Sequence, residues 1–345
     1  MKQYLLPQGG KFYKANLHMH TNVSDGNMTP EETKRAYVEQ GYSIVAFTDH
    51  EIIVPHNELT DDSFLAITSC ELSVTESRPQ LPFSCKKTYH LNFLSKDSEK
   101  VVFSTFSADH VHYVNAKSFI TDEMKQYDYR HVYSVECIND IIARSNAEGF
   151  LVSYNHPVWS EQDYTDYAPL KGLWGVELYN TGCVNSGYPD TPQPLDDLLR
   201  QGERVFPLAT DDAHHYGSCF GGWVMVKAER LEYDAVMKAL EHGEFYSSSG
   251  PEIYELFIED GVLHVRTSDA VQIFYSTERR ATGAVCAEKG KTVCEAAFNL
   301  DWYLKENETL ASQDALGEPY IRVTVKDQQG NCAWTRAYFL DELNL

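Results

Sequence analysis

Histidines and carboxylates recur along this chain at positions that could gather them around a cation. The first group is Asn16-Leu17-His18-Met19-His20-Thr21. On a strand, residues two apart face the same side, so His18 and His20 project together and Met19 faces the other way. Asp25 follows in Ser24-Asp25-Gly26, a turn able to fold a carboxylate back toward the strand end. Asp49-His50 ends a β-rich run at 42–48. Tyr154-Asn155-His156-Pro157 and Thr210-Asp211-Asp212-Ala213-His214 end two more. In parallel α/β folds, functional groups collect at the C-terminal edge of the sheet. Imidazoles and carboxylates arriving at four separate strand ends read as a metal site rather than as unrelated core histidines. A second H-x-H, His110-Val111-His112, has no strand around it and reads as surface.

The elements that must position these groups follow from local signals. Residues 16–20 read as a strand and 29–40 as a helix, with Thr29 as N-cap, Pro30 at its first position, Glu32 three residues past the cap and Gly41 beyond its end. With the strand at 42–48 this makes a βαβ unit. Helices are expected at 135–147, 195–201 and 231–242, and strands at 149–154, 176–179 and 205–209. Repeated βα units point to an α/β domain with a parallel sheet, spanning residues 1–250. Residues 73–133, apart from a strand-like run at 89–94, read as an insertion. After the Ser247-Ser248-Ser249-Gly250-Pro251 run the segments become short and alternating, at 254–258, 263–266, 271–275, 320–326 and 333–338. Residues 251–345 therefore read as an antiparallel, sandwich-like β domain, for packing or docking rather than for a second reaction.

The run from His18 through Asp25 and Thr29-Pro30-Glu31-Glu32 to Phe47-Thr48-Asp49-His50 resembles the opening signature of the PHP (polymerase and histidinol phosphatase) superfamily. Cys70-Glu71-Leu72-Ser73, Tyr89-His90-Leu91, Asn155-His156-Pro157 and Asp212-Ala213-His214 resemble its later motifs, in order along residues 15–250. The joining pieces 175–180 and 245–251, with the β-rich tail, look like the CehA/McbA-like branch. The resemblance implies a distorted (β/α)7 barrel holding two or three divalent ions. Its ligands would be His18, His20, Asp25, His50, Glu71, His90, His156, Asp212 and His214, with Glu71 bridging. A nitrogen and oxygen set without thiolate suits Mn²⁺, Fe²⁺ or Zn²⁺. Such a centre activates water for hydrolysis and steadies phosphoryl oxygens. Asp211 and His215 flank the last motif and are candidates to protonate the leaving group, with Asp49 as a further catalytic or orienting residue. Tyr179 and Asn180 follow a strand and are candidates to bind substrate.

The expected function is metal-dependent hydrolysis of a phosphate ester on a small molecule. Hydrolysis of a carboxylic ester or carbamate at the same site, and a non-catalytic metal-dependent binding module, are the alternatives. No lysine or arginine lies in the motifs; Arg78, Lys86 and Lys87 lie near them in sequence only. A balance of 29 basic to 51 acidic residues, formally -22, argues against a nucleic-acid partner and leaves a small anionic substrate open. With 43% hydrophobic and 23% charged residues the chain is of globular composition. It shows no bilayer-spanning run and no secretion signal, so a cytoplasmic setting is expected. The eight cysteines form no C-x-x-C and read as reduced, mostly buried thiols. Nothing in the sequence bears on oligomeric state.

Overall fold

A computed structural model describes residues 2–311 and 318–344. In chain order its elements are β1 Lys2–Tyr4, β2 Lys11–Asn16, α1 Pro30–Glu39, β3 Ile44–Phe47, β4 Leu65–Thr75, β5 Thr88–Ser95, α2 Val114–Lys117, α3 Val135–Ala147, β6 Phe150–Tyr154 and α4 Tyr164–Tyr167. There follow β7 Gly175–Asn180, α5 Thr181–Asn185, α6 Gln193–Arg200, β8 Phe206–Thr210, β9 Trp223–Ala228, α7 Tyr233–Glu241 and β10 Phe245–Ser248. The remainder is β11 Ile253–Glu259, β12 Val262–Ala270, β13 Gln272–Ser276, β14 Gly283–Cys286, β15 Val293–Asn299, α8 Asp301–Ala311, β16 Tyr320–Lys326, β17 Cys332–Thr335 and β18 Tyr338–Phe339.

Local chemistry sets several of these boundaries. At α1 the Thr29 hydroxyl accepts from Glu32 N–H and the Glu32 carboxylate accepts from Thr29 N–H, so both orphan donors are satisfied. Strands β3 and β6 are buried along their whole length, as both-face-covered strands must be, and they consist of apolar and small residues. Strand β2 lies earlier than the sequence indicates. It carries Lys11–Asn16, and the H-x-H falls in the extended segment just past its C-terminal end.

Strands β2 to β8 are neighbours in chain order within a 14-stranded sheet. The pairs β2–β3, β3–β4, β6–β7 and β7–β8 are parallel, whereas β4–β5 and β5–β6 are antiparallel. That departs from uninterrupted βα repeats: no α-helix separates β4 from β5, which pair as antiparallel neighbours, and β6 returns antiparallel to β5 after α2 and α3. Strand β5 also makes part of the segment read as an insertion an integral strand of the sheet. Nor does the sheet close as a (β/α)7 barrel. Strand β2 turns its free edge to β9, antiparallel, and β9 leads on to β10. Beyond their ends, the β2 and β8 segments meet in one isolated bridge, Met19↔Ala213.

The C-terminal strands divide between two sheets. Strands β13, β14, β16 and β17 extend the large sheet through β10–β17, and β18 pairs with β16. Strands β11, β12 and β15 form a four-stranded sheet with β1. One apolar cluster, including Leu256, Leu263, Ile273 and Val323, fills this module and takes in Leu6 and Tyr246. It docks on the rest of the chain through apolar contacts of Tyr320, Trp334, Ala337 and Phe339, through the β10–β17 pairing and through charge. Arg322, 2% exposed, donates to Asp196 on α6 at 2.7 Å, and Arg204 reaches Glu318 and Asp341. All eight cysteines are free, but only Cys70 and Cys183 are buried. The expectation of mostly buried thiols fails because Cys85, Cys286 and Cys294 sit on exposed loop and strand positions. Among the described residues, no helix is long and apolar enough to cross a membrane.

Candidate metal centre

The strand ends converge. His18 and His20 come from the segment after β2, His50 from the turn after β3, Glu71 from β4 and His90 from β5. His156 follows β6, Glu177 lies on β7, and Asp212 and His214 follow β8. Glu71, 1% exposed, is the hub. One of its carboxylate oxygens lies 3.3 Å from His18 Nε2, 3.1 Å from His90 Nδ1 and 3.4 Å from His156 Nε2. Its other oxygen lies 3.3 Å from both His20 Nε2 and His50 Nδ1. Asp212 Oδ1 stands 3.2 Å from the Nε2 atoms of His18 and His20. Asp25 closes the group, 3.6 Å from His20 and His50 and 3.4 Å from His214.

These contacts have the spacing of ligands that share an ion. At bond lengths of roughly 2.0–2.2 Å, neighbouring ligand atoms of a tetrahedral or octahedral site stand about 3.0–3.5 Å apart. Four sets of three or more potential ligand atoms each gather within 4.8 Å of one another. They are His20, Asp25, His50 and His214; His18, His20 and Glu71; His50, Glu71 and His90; and His18, His156 and Glu177. The fit is also seen in what is left unpaired. His50 Nδ1, His90 Nδ1 and Asp212 Oδ1 are buried without a hydrogen bond, although each lies close to an opposite partner. Buried polar atoms are almost always paired, so three orphans aimed into one space mark a site built for a cation.

The backbone is bent to aim them. Among the described non-glycine residues, six adopt positive φ, and three are Glu51 (67°), His156 (28°) and Asp212 (49°), at or beside the ligands. Left-handed backbone costs a non-glycine residue free energy and concentrates where geometry serves function. Gly26 is needed for a related reason. A Cβ there would lie 2.2 Å from the His20 carbonyl oxygen, so the turn carrying Asp25 folds directly onto the H-x-H segment.

Electrostatics follow from the packing. Burial pulls His20 down, but the carboxylates of Asp212 and Glu71 outweigh it and hold the imidazole up to about 10. His18 is likewise held well above its ordinary value against burial, by Asp212, Glu71 and Glu177. Burial, reinforced by the neighbouring His20, pushes His50 down to about 3. Burial would raise Glu71 and Asp212, yet the surrounding imidazoles keep both well below the usual carboxylate range. The cluster thus holds charge-separated imidazoles and carboxylates, with protons standing where a cation would replace them.

The sequence reading left out the groups that hold the ligands in place. Glu177 accepts from Thr210 Oγ1 at 2.7 Å and from His156 N–H at 3.1 Å, and its Oε1 lies 2.7 Å from His18 Nδ1. That fixes His18 with Nε2 toward the cluster, the carboxylate–histidine arrangement that tunes metal ligands. Asn155 donates to Glu71 at 2.7 Å. Tyr113, from the segment read as an insertion, donates its hydroxyl to Asp25 at 2.8 Å and stacks on His50. Glu177 and Asn155 stood inside recognised motifs; Tyr113 had no local signal at all.

The other candidates are placed differently. Asp211 is fully buried and accepts from Tyr37 Oη, Thr181 Oγ1 and the N–H groups of Phe220, Gly221 and Gly222. None of these belongs to the cluster, so the expected proton donor is a structural carboxylate that ties down the loop after β8. Asp49 accepts from the N–H and hydroxyl groups of Thr21 and Ser24, anchoring the turn that carries Asp25. That is an orienting position, not a catalytic one. His215 is exposed and lines an open cavity of ≈ 660 Å³ beside Asp212, His214 and Trp159. Asn180 donates to Glu177 and Asp212 and caps α5 by accepting from Cys183 N–H, so it steadies a ligand rather than reaching for substrate. Tyr179 is half-buried on the wall of a narrower pocket that also includes Trp159 and Tyr188. His110 is half-buried and His112 exposed.

Residues 16–168 match the family model for the PHP domain. No match is found among curated proteins. Among solved structures, a two-domain protein from Bacteroides vulgatus, described as containing a predicted PHP-like metal-dependent phosphoesterase, aligns with 13% identity and a TM-score of 0.43 over 97% of this chain and 98% of its own. An amidohydrolase from Chromobacterium violaceum, with bound sulfate and no metal, aligns with 15% identity and a TM-score of 0.39 over 67% of this chain and 96% of its own. A lesion-specific endonuclease from Pyrococcus furiosus aligns with 15% identity and a TM-score of 0.38, over 67% of this chain and 56% of its own.

Proposed function

We propose that this chain, which carries a PHP domain, is a metal-dependent hydrolase of phosphate esters on small molecules. The supporting observation is the convergence of nine expected ligands, with Glu71 within 3.4 Å of five imidazoles and three buried ligand atoms left unpaired. His18, His20, Asp25, His50, Glu71, His90, His156, Asp212 and His214 would hold two or three divalent ions of the Mn²⁺, Fe²⁺ or Zn²⁺ class. When bound, such ions supply Lewis acidity and lower the pKa of a coordinated water. The chain's own contribution is placement: Glu177 and Asn155 orient His18 and Glu71, and Tyr113 and Asp49 hold the Asp25 turn. In this reading His215, exposed on the cavity wall, delivers the leaving group's proton. We further propose that residues 1–250 form the hydrolase unit, an open variant of the (β/α)7 arrangement in which the β2 and β8 ends meet only at the Met19–Ala213 bridge, and 251–345 a packing module that also takes up β1. The motifs at 175–180 and 245–251 support our proposal of the CehA/McbA-like branch.

One observation favours a second reading. Neither cavity beside the cluster is lined by lysine or arginine. Lys87 is engaged by Asp163 and Asp166, and Arg78 by Glu76. A carboxylic ester or carbamate needs no such cation. Metal analysis of the purified protein, followed by assays on p-nitrophenyl phosphate, bis-p-nitrophenyl phosphate and p-nitrophenyl acetate, separates the two. Phosphate turnover that disappears in His20→Ala is the expected result; hydrolysis of the acetate alone would remove the phosphoesterase reading.

A further inference from the structure

Trp159 stands where the metal cluster meets open space. It lines both the ≈ 660 Å³ cavity and the narrower pocket beside it. Its indole is fixed edge-on against two cluster imidazoles, 5.0 Å from His156 and 5.5 Å from His90 between ring centroids. Phe83, 56% exposed, approaches it at 6.4 Å between ring centroids. The ring is half-buried. A large, partly exposed aromatic side chain held by its edge contacts at a polar site is placed to meet a ligand.

The charge of the walls narrows the ligand further. With no lysine or arginine on either cavity, one phosphoryl group can be neutralised by ions in the cluster and a second cannot. Asp190 on the wall of the narrower pocket would repel further anionic groups. We propose that Trp159 determines specificity, selecting esters with a single phosphoryl group on an uncharged leaving group that carries a planar ring. The assignment rests on the phosphoesterase reading. Stacking of a planar ring on an indole is tolerant of ring identity, so aryl and nucleoside leaving groups are served by the same wall.

Binding of non-hydrolysable phosphonates to the Mn²⁺-loaded protein, followed by titration calorimetry, tests it. Phenylphosphonate is expected to bind at least about tenfold more tightly than methylphosphonate, and tighter than phosphonoacetate. That preference should collapse in Trp159→Ala and survive in Trp159→Phe, at unchanged metal content. In turnover, kcat/KM for phenyl phosphate and for a nucleoside 5′-monophosphate should exceed that for glycerol phosphate; which of the two is higher identifies the source of the ring. Equal binding of the phenyl and methyl compounds by the unaltered protein, a preference unchanged in Trp159→Ala, or tighter binding of phosphonoacetate overturns the inference and leaves the phosphoesterase reading standing. If no phosphate ester is turned over, that reading falls and takes the inference with it.

Discussion

At the scale of single residues, the division between groups that meet the cation and groups that hold them is testable. Glu177→Gln retains the shape of the side chain but weakens the acceptor on His18 Nδ1. Metal affinity, measured by chelator competition, should drop about 10–100-fold while the melting temperature of the metal-free protein moves little. Asp211→Ala should behave in the opposite way. Five donors lose their acceptor in a solvent-free site, and leaving even two unsatisfied costs about 3 kcal/mol, which chemical denaturation would register. An Asp211→Ala protein of undiminished stability would show that the network is not structural. The sequence made the expected ligands stand out because most lie in short motifs at strand ends, although Glu71 and His90 lie within β4 and β5. It hid the network of Asp211, since neighbours in sequence at a motif face different partners in space, whereas Asp49 already stood as a candidate for orientation. Adjacent Asp211 and Asp212 end in separate networks because Asp212 takes a left-handed backbone and Asp211 does not.

Among elements, those announced by local chemistry were readable and those defined by distant pairing were not. Helix α1 has its capping box, and α3 begins and ends where periodicity sets it. Strand β9, which carries the sheet away from barrel closure, has an alternating pattern that any edge or middle strand shares. The antiparallel β5 also gave no warning, because strand direction is set by the connection and not by composition. The turn between β2 and α1 carries a prediction of its own. Gly26→Ala places a methyl group against the His20 carbonyl, and the turn must move to relieve it. Asp25 and its contacts to His50 and His214 would shift with it, so metal stoichiometry should fall in elemental analysis while circular dichroism stays native. Full metal loading in Gly26→Ala would show that the close approach is not what positions Asp25.

For the molecule as a whole, the cluster couples metal, protons and stability. His20 is held up to about 10 against an ordinary 6.5, so the metal-free fold keeps a proton that the unfolded chain releases earlier. That stabilisation is complete below pH 6.5 and is lost as pH rises through 10. Melting of the metal-free protein should therefore drop between pH 7 and 10, and metal uptake at pH 7 should release protons, seen as a buffer-dependent heat in calorimetry. A pH-independent melting curve over that range would contradict the assignment. The pairing of Gln3 with Ile258 has a consequence on a different axis, that of time. During synthesis β1 and the apolar Leu6 that follows it must wait for their partners until all of residues 1–250, and β11 beyond them, have left the ribosome. Such distant closure is slow, and an unsatisfied strand is a target for misassociation. Fusion partners or truncations that occupy this leading strand are thus expected to harm yield before they touch catalysis.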